Sequence, residues 1–194
     1  MILDHILTCL PWMAAFTAIY IPARLLALKK PSRLSREAAL YLLWMTVAVI
    51  LSQTLSVDGK VTGFSFSPAS ALNPNLYNYI PFYFVKRLIS LAGKSGFYGF
   101  LFINVVGNVA IFLPVGFCAR WAYSFGIWKA TLFGAVLSLF VELCQIPTNR
   151  NTDIDDLIFN TAGAFAGALL FAAVTAITRR SAIKEEKGKV TVDE

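Results

Sequence analysis

Five long apolar runs divide the chain, and shorter polar segments separate them. The runs cover residues 6–28, 38–57, 97–119, 128–146 and 157–178. A helix of about 20 apolar residues crosses a hydrocarbon layer of about 30 Å, so each run is long enough to span a membrane. The pattern predicts an all-α fold, a polytopic membrane helix bundle of about five transmembrane helices, in which residues 1–178 form a single membrane domain.

Two polar stretches depart from this pattern. The second half of the connection 56–96 concentrates tyrosine and phenylalanine and then carries Lys86 and Arg87. Such a composition is typical of the membrane–water interface, so we expect an interfacial aromatic segment or a short helix before the third span, with Pro81 as its first residue. The segment is either a plain anchor or the rim of a site. Residues 179–194 are polar, mixed in charge and free of aromatic residues, which predicts a disordered tail.

The composition supports a membrane location. Hydrophobic residues make up 57% of the 194 residues and charged residues 14%, whereas soluble domains have about 45–50% and about 25%. A small soluble domain buries only about two thirds of the surface that its unfolded chain exposes. A water-soluble globular protein of this composition is therefore excluded.

The basic residues predict the orientation of the chain. If the N-terminus is outside, eleven of the sixteen Lys and Arg residues other than Arg24 lie on the cytoplasmic side, where such residues accumulate, and the C-terminus is cytoplasmic. The same residues account for the formal net charge of +6, so we expect no nucleic-acid partner. Cys9, Cys118 and Cys144 are odd in number and far apart, and we interpret them as packing residues.

Polar residues within the third and fourth spans are candidate functional residues. Asn104 and Asn108 are four residues apart, and Glu142 and Gln145 are three apart, so each pair lies on one helical face. A carboxylate in hydrocarbon costs on the order of 2.5–3.5 kcal/mol, so Glu142 should face the bundle interior.

The start of the fifth span adds three carboxylates, Asp153, Asp155 and Asp156, followed by Asn160. The predicted topology brings all these polar residues toward the outer leaflet, although they are distant in sequence. Because Arg150 is the nearest cation, we expect it to pair with Glu142 or with one of the aspartates in a polar cup that opens to the exterior.

A structural role explains part of the same pattern. Asp153 can cap the fifth helix, and Asp155 and Asp156 in its first turn would favour the positive end of the helix dipole. Gly163 and Gly167 form a small-xxx-small motif for close packing, either within one bundle or between two copies, so the oligomeric state stays open. The three aspartates with Glu142 offer oxygen ligands that a divalent cation could use. Short acidic strings are common, so we assign no metal and no cofactor.

Several segments together resemble the VanZ-like family. Residues 78–82 read N-Y-I-P-F, residues 104–116 read N-V-V-G-N-V-A-I-F-L-P-V-G, residues 142–145 read E-L-C-Q, and residues 150–163 read R-N-T-D-I-D-D-L-I-F-N-T-A-G. Each segment alone is unspecific, but their order and spacing within residues 76–170 are similar to that family.

The resemblance implies a multi-span protein of the bacterial cytoplasmic (inner) membrane. The family's namesake is associated with resistance to the lipoglycopeptide antibiotic teicoplanin. The motif positions define a candidate binding site: Asn78, Pro81, Phe82, Asn104, Asn108, Glu142, Gln145, Arg150, Asp153, Asp156 and Asn160.

Two functions fit this site. In the first, the polar cup and aromatic rim bind a membrane lipid, a lipid-linked envelope glycan or an amphiphilic drug without chemistry. In the second, the protein is a membrane hydrolase or transferase that acts on such a lipid, with Glu142, Asp155 or Asp156 as general acid or base and Arg150 stabilising phosphate charge. The single histidine, His5, lies far in sequence from the cluster, and no Gly-x-Ser-x-Gly or P-loop motif is present, so binding is favoured. Transport is a weaker third reading, because no repeat of broken helices is visible.

Overall fold

The computed structural model describes residues 2–27, 33–55, 72–92, 98–148 and 151–190. Within these ranges the α-helices are α1 (Ile2–Ala27), α2 (Leu34–Leu55), α3 (Tyr83–Ala92), α4 (Tyr98–Tyr123), α5 (Ile127–Gln145) and α6 (Ile154–Val190). Two short strands, β1 (Tyr77–Asn78) and β2 (Thr152–Asp153), pair in parallel, and 3₁₀ turns cover Pro74–Leu76 and Ile146–Thr148. All the helices except α3 are long and apolar enough to cross a membrane. The predicted all-α membrane bundle with five spans is therefore confirmed.

Helix α4 lies at the centre of the bundle and packs against α2, α5 and α6. Its contact with α6 depends on glycine, because a Cβ atom on Gly163 would overlap the carbonyl oxygen of Val109, and one on Gly167 would overlap that of Leu113. Gly116 of α4 stands equally close to the backbone of Ala164. The small-xxx-small motif thus brings two helices of the same chain into backbone contact.

Apolar side chains from α2, α4 and α5 fill the interior. Ile50, Phe112 and Val141 are almost completely buried and belong to one cluster with Cys118. Helix α1 packs on α2, where Trp44 Nε1 donates to the carbonyl of Phe16 at 2.7 Å. Outward-facing leucines such as Leu132 and Leu143 are exposed, as expected for helices that face lipid.

The charged residue in the first span has a partner in the second helix. Arg24 donates to both carboxylate oxygens of Glu37, at 2.5 and 3.0 Å. Both side chains are partly exposed. This bidentate pair joins the end of α1 to the start of α2 and gives the cation of the first span a counter-charge.

Two predicted boundaries differ from the structure. Helix α3 begins at Tyr83, because Pro81 and Phe82 form a turn in which Phe82 has a φ of 60°, outside the helical region. The tail from residue 179 is predicted to be disordered, but α6 continues to Val190. The extension contains Ala, Lys and Glu, which favour helix, and no proline, so nothing in the sequence stops the helix at the end of the apolar run.

Candidate functional site

A short parallel strand pair forms one side of the site. Tyr77 is the register partner of Thr152, and Asn78 is the partner of Asp153. The Asn78 side chain donates from Nδ2 to Asp153 Oδ1 at 2.9 Å, and its Oδ1 accepts from the Ile80 amide at 3.2 Å. A single asparagine thus holds the aromatic segment against the start of α6.

The second anchor of this segment is the Phe82 amide. It donates to Oδ1 of Asp155, a side chain that is only 1% exposed. The positive φ of Phe82 belongs to the turn in which this amide meets the carboxylate, and the Phe82 ring packs edge-on against Phe159 with centroids 6.3 Å apart. The N-Y-I-P-F motif is therefore a docking element: Asn78 and Phe82 contact α6 or the strand before it, while Pro81 lies exposed in the turn between them.

Asp153 caps α6. Its Oδ1 accepts from the amide of Asp155 at 2.9 Å, two residues along, which is the geometry of an N-cap. The capping role predicted for Asp153 is confirmed. Burial raises the pKa of the Asp153 carboxyl, and the nearby charge of Asp155 raises it further, while the bonds from the Asp155 amide and Asn78 act in the opposite direction.

Glu142 and Gln145 at the end of α5 are buried, with 5% and 8% exposure. Glu142 Oε2 accepts from the amide of Asp153 at 3.3 Å. Glu142 therefore faces the interior, as the cost of placing it in lipid predicts. Its proposed partner Arg150 lies outside the described residues, so that ion pair stays a prediction.

Two further contacts run between helices. Asn108 Nδ2 of α4 donates to Asp156 Oδ1 at 2.5 Å, and Asn160 Nδ2 of α6 donates to Ser138 Oγ of α5 at 2.9 Å. Asn104 lies one turn before Asn108 and is partly buried. Ser138 was not predicted as a site residue, although it lies four residues before Glu142 and so on the same face of its helix.

The four carboxylates Glu142, Asp153, Asp155 and Asp156, here called the acidic cluster, thus lie together at one end of the bundle. Among the residues that the structure describes, no group of three His, Cys, Asp or Glu side chains is arranged to hold a metal ion. The aspartates considered as ligands instead accept hydrogen bonds from three different partners: Asn78 at Asp153, the Phe82 amide at Asp155, and Asn108 at Asp156.

Buried oxygens near these bonds lack hydrogen-bond partners within the described ranges, among them Asp155 Oδ2 and Asn160 Oδ1. A buried polar atom without a partner is costly, commonly by about 1–3 kcal/mol. Both atoms lie inside the protein, so a ligand that contacts the acidic cluster from outside does not reach them in this structure.

An aromatic surface adjoins the acidic cluster. Tyr79, Ile80, Phe82 and Tyr83, here called the aromatic rim, are all exposed. The Tyr77 and Tyr79 rings stack in parallel with centroids 5.9 Å apart. Because Asn78 and Phe82 are bonded to Asp153 and Asp155, the rim is fixed directly beside the carboxylates.

A family model described as VanZ/LLP1 matches residues 38–175. The matched region includes most of α2 as well as every residue of the acidic cluster and the aromatic rim. No curated protein and no solved structure matches the chain significantly.

Proposed function

Since the chain belongs to the VanZ/LLP1 family, we propose that this multi-pass membrane protein binds an amphiphilic envelope molecule between its acidic cluster and its aromatic rim. The ligand is an envelope lipid, a lipid-linked glycan or a lipoglycopeptide such as teicoplanin, and binding contributes to glycopeptide resistance. The membrane is the bacterial inner membrane, with the N-terminus and the acidic cluster on its outer side.

The observation that carries the proposal is the attachment of the aromatic rim to the acidic cluster. Asn78 and the Phe82 amide bond to two different carboxylates, so apolar and polar recognition surfaces are held within one short stretch of structure. An amphiphile presents the same combination, an acyl chain and a polar head. Tyr79 and Phe82 suit the chain, while the partly exposed carboxylates of the acidic cluster, Asp153 and Asp156, suit hydroxyl, amide or ammonium donors of the head.

The short helix α3 fits the same role. Its sequence, Y-F-V-K-R-L-I-S-L-A, is amphipathic, and Lys86 on it is exposed. Amphipathic helices with lysine or arginine on the polar face lie in the plane of the membrane interface. Lys86 then stands where a phosphate or carboxylate of a bound amphiphile would pass.

A second candidate function is carboxylate catalysis on a lipid-linked substrate. It is favoured by the surroundings of Asp155, which is almost completely buried. Asp153 connects it to Glu142, because the Asp153 side chain accepts from the Asp155 amide and the Asp153 amide donates to Glu142. Among the described residues, one carboxylate oxygen of Asp155 has no hydrogen-bond partner. A carboxyl in this setting can act as a general acid or base.

One variant of the acidic cluster and one matched pair of aromatic variants test the proposal in purified protein. Asp155→Asn keeps an oxygen that accepts from the Phe82 amide but removes the negative charge of Asp155 from the acidic cluster. Tyr79→Ser removes an aromatic ring of the rim, and Trp128→Ser is its control, because Tyr79 and Trp128 have nearly the same exposure, 75% and 77%, at opposite ends of the bundle.

The probes are teicoplanin, a glycopeptide without an acyl chain, and a bacterial lipid extract whose products are followed by mass spectrometry. We expect Asp155→Asn and Tyr79→Ser to weaken teicoplanin binding about tenfold, the cost of one lost charged hydrogen bond or stacking contact, while Trp128→Ser binds normally. Equal binding by all variants, or equal binding of the acylated and non-acylated drugs, would overturn the proposal. Carboxylate-dependent conversion of a lipid would instead establish the enzyme.

A further inference from the structure

Two adjoining cavities open at the end of the bundle opposite the acidic cluster. The first, of about 440 Å³, is lined by Arg120, Arg179, Phe171 and Thr175, and the second, of about 410 Å³, by Arg33, Arg36 and Trp121. Ser124 and Phe125, in the turn between α4 and α5, line both. We call them the arginine cavities.

Arg120 is held rigidly in the first cavity. Its Nε donates to the Phe125 carbonyl at 3.0 Å, and its Nη1 donates to the Ala168 carbonyl at 2.9 Å. Its guanidinium also stands over the Phe171 ring, 5.5 Å from the centroid. Because these bonds use two of five N–H groups, the guanidinium is oriented in advance and still has donors to offer.

In the second cavity, Arg36 is also held by a backbone carbonyl, but by one hydrogen bond where Arg120 has two. Arg36 Nε donates to the Ala122 carbonyl at 3.1 Å. Ser124, at the junction of the two cavities, has a φ of 56°, which turns the chain sharply between Arg120 and α5. Because both cavities meet at this turn, it lies between arginines of α4 and α6 on one side and those at the start of α2 on the other.

No carboxylate neutralises these arginines among the residues that the structure describes. Within the described residues, the ion pair that forms joins Arg24 to Glu37, and neither residue lines these cavities. The arginines that do line them form no ion pair with a described carboxylate: Arg33, Arg36, Arg120 and Arg179. Like charges held close together repel, so an anion that enters would stabilise the arrangement. The positive-inside rule accounts for basic residues at this end, but it accepts lysine equally and does not require a guanidinium fixed by backbone carbonyls.

We infer that the arginine cavities bind the phosphate of an anionic membrane lipid. Every cation that lines them is arginine, whose planar fork matches two phosphate oxygens. The walls combine those arginines with Phe125, Phe171 and Trp121, so a glycerol and the start of the acyl chains meet aromatic surface while the phosphate meets guanidinium. Basic pockets between helices at a membrane surface are known to hold lipid head groups in this way.

Neighbouring residues of α6 provide the test. Arg179 lines the first cavity and Arg180 does not, although both are exposed and carry the same charge. Arg179→Gln and Arg180→Gln are compared in nanodiscs of phosphatidylcholine that contain one part in ten of phosphatidylglycerol, with retained anionic lipid counted by mass spectrometry. Arg120→Lys keeps the positive charge and removes the planar guanidinium, so it separates the effect of charge from that of guanidinium geometry.

We expect Arg179→Gln and Arg120→Lys to retain about tenfold less phosphatidylglycerol than the unchanged protein, the loss expected for one charged hydrogen bond, and Arg180→Gln to retain a normal amount. Equal losses in Arg179→Gln and Arg180→Gln would reduce the effect to general surface charge and overturn the inference. Displacement of the lipid by inorganic phosphate or glycerol phosphate at equal concentration would also overturn it, since the site would then be one for soluble anions. A teicoplanin defect is not expected in these variants, so failure here is distinguishable from failure of the proposed function.

Discussion

Replacement of Gly163 by alanine tests the packing of α4 against α6, on which the site depends. The added Cβ would overlap the backbone carbonyl oxygen of Val109, which cannot rotate away as a side chain could. Overpacking costs typically 1–3 kcal/mol, and this contact with backbone belongs at the upper end, about 3 kcal/mol. Alanine in place of helical glycine recovers about 1 kcal/mol. We therefore expect the free energy of unfolding to fall by about 2 kcal/mol.

Gly107 supplies the matched control. It also lies in α4, but a Cβ there would have nothing within 4 Å. Gly107→Ala should leave the free energy of unfolding unchanged or raise it by up to about 1 kcal/mol. The assay is reversible unfolding in mixed micelles, followed by circular dichroism. If Gly163→Ala is as stable as Gly107→Ala, the close approach of α4 and α6 is wrong.

Two further predictions concern the acidic cluster. Since burial raises the pKa of Asp153 in the folded state above its unfolded value of about 3.9, protonation favours folding: this contribution is fully present below the unfolded pKa and is lost as the pH rises through the folded pKa. Asp153→Asn keeps an oxygen for the N-cap but cannot titrate. As the pH rises through that window, its free energy of unfolding should therefore fall less than that of the unchanged protein. Equal dependence of the two unfolding free energies on pH would refute the pKa shift. The bond between Asn108 of α4 and Asp156 of α6 should contribute a coupling free energy of about 0.6–2 kcal/mol to stability, measured in a double-mutant cycle of Asn108→Ala and Asp156→Ala. A coupling free energy of zero would contradict the contact.

The helices were predictable because the cost of exposing polar backbone in lipid leaves a long apolar segment little choice but to form a helix. The same reasoning located Glu142, since a carboxylate in a span must turn inward, and the order of the spans brought it to the end where Asp153 and Asp155 lie. Neither inference needed a contact between particular residues.

The docking of the aromatic segment was beyond sequence reasoning. A strand pair of two residues, Tyr77–Asn78 with Thr152–Asp153, has no periodicity to detect. The start of α3 depends on the bond from the Phe82 amide to Asp155, 73 residues away, so proline placed the helix start two residues too early. Ser138 could not be predicted, because a serine in a membrane helix costs little free energy of insertion and its role depends on the bond from Asn160, which is distant in sequence.

In the state that binds ligand, the aromatic rim stays docked on the start of α6. Tyr77→Cys with Thr152→Cys tests it, because paired strands lie about 4.7–4.9 Å apart and a disulfide requires Cα atoms about 4.4–6.8 Å apart. The out-of-register pair Tyr79→Cys with Thr152→Cys is the control. We predict that the first pair oxidises readily, the control poorly, and that the cross-linked protein binds teicoplanin as well as the reduced protein does. A first pair that fails to cross-link, or one that loses binding when cross-linked and regains it on reduction, would contradict the claim.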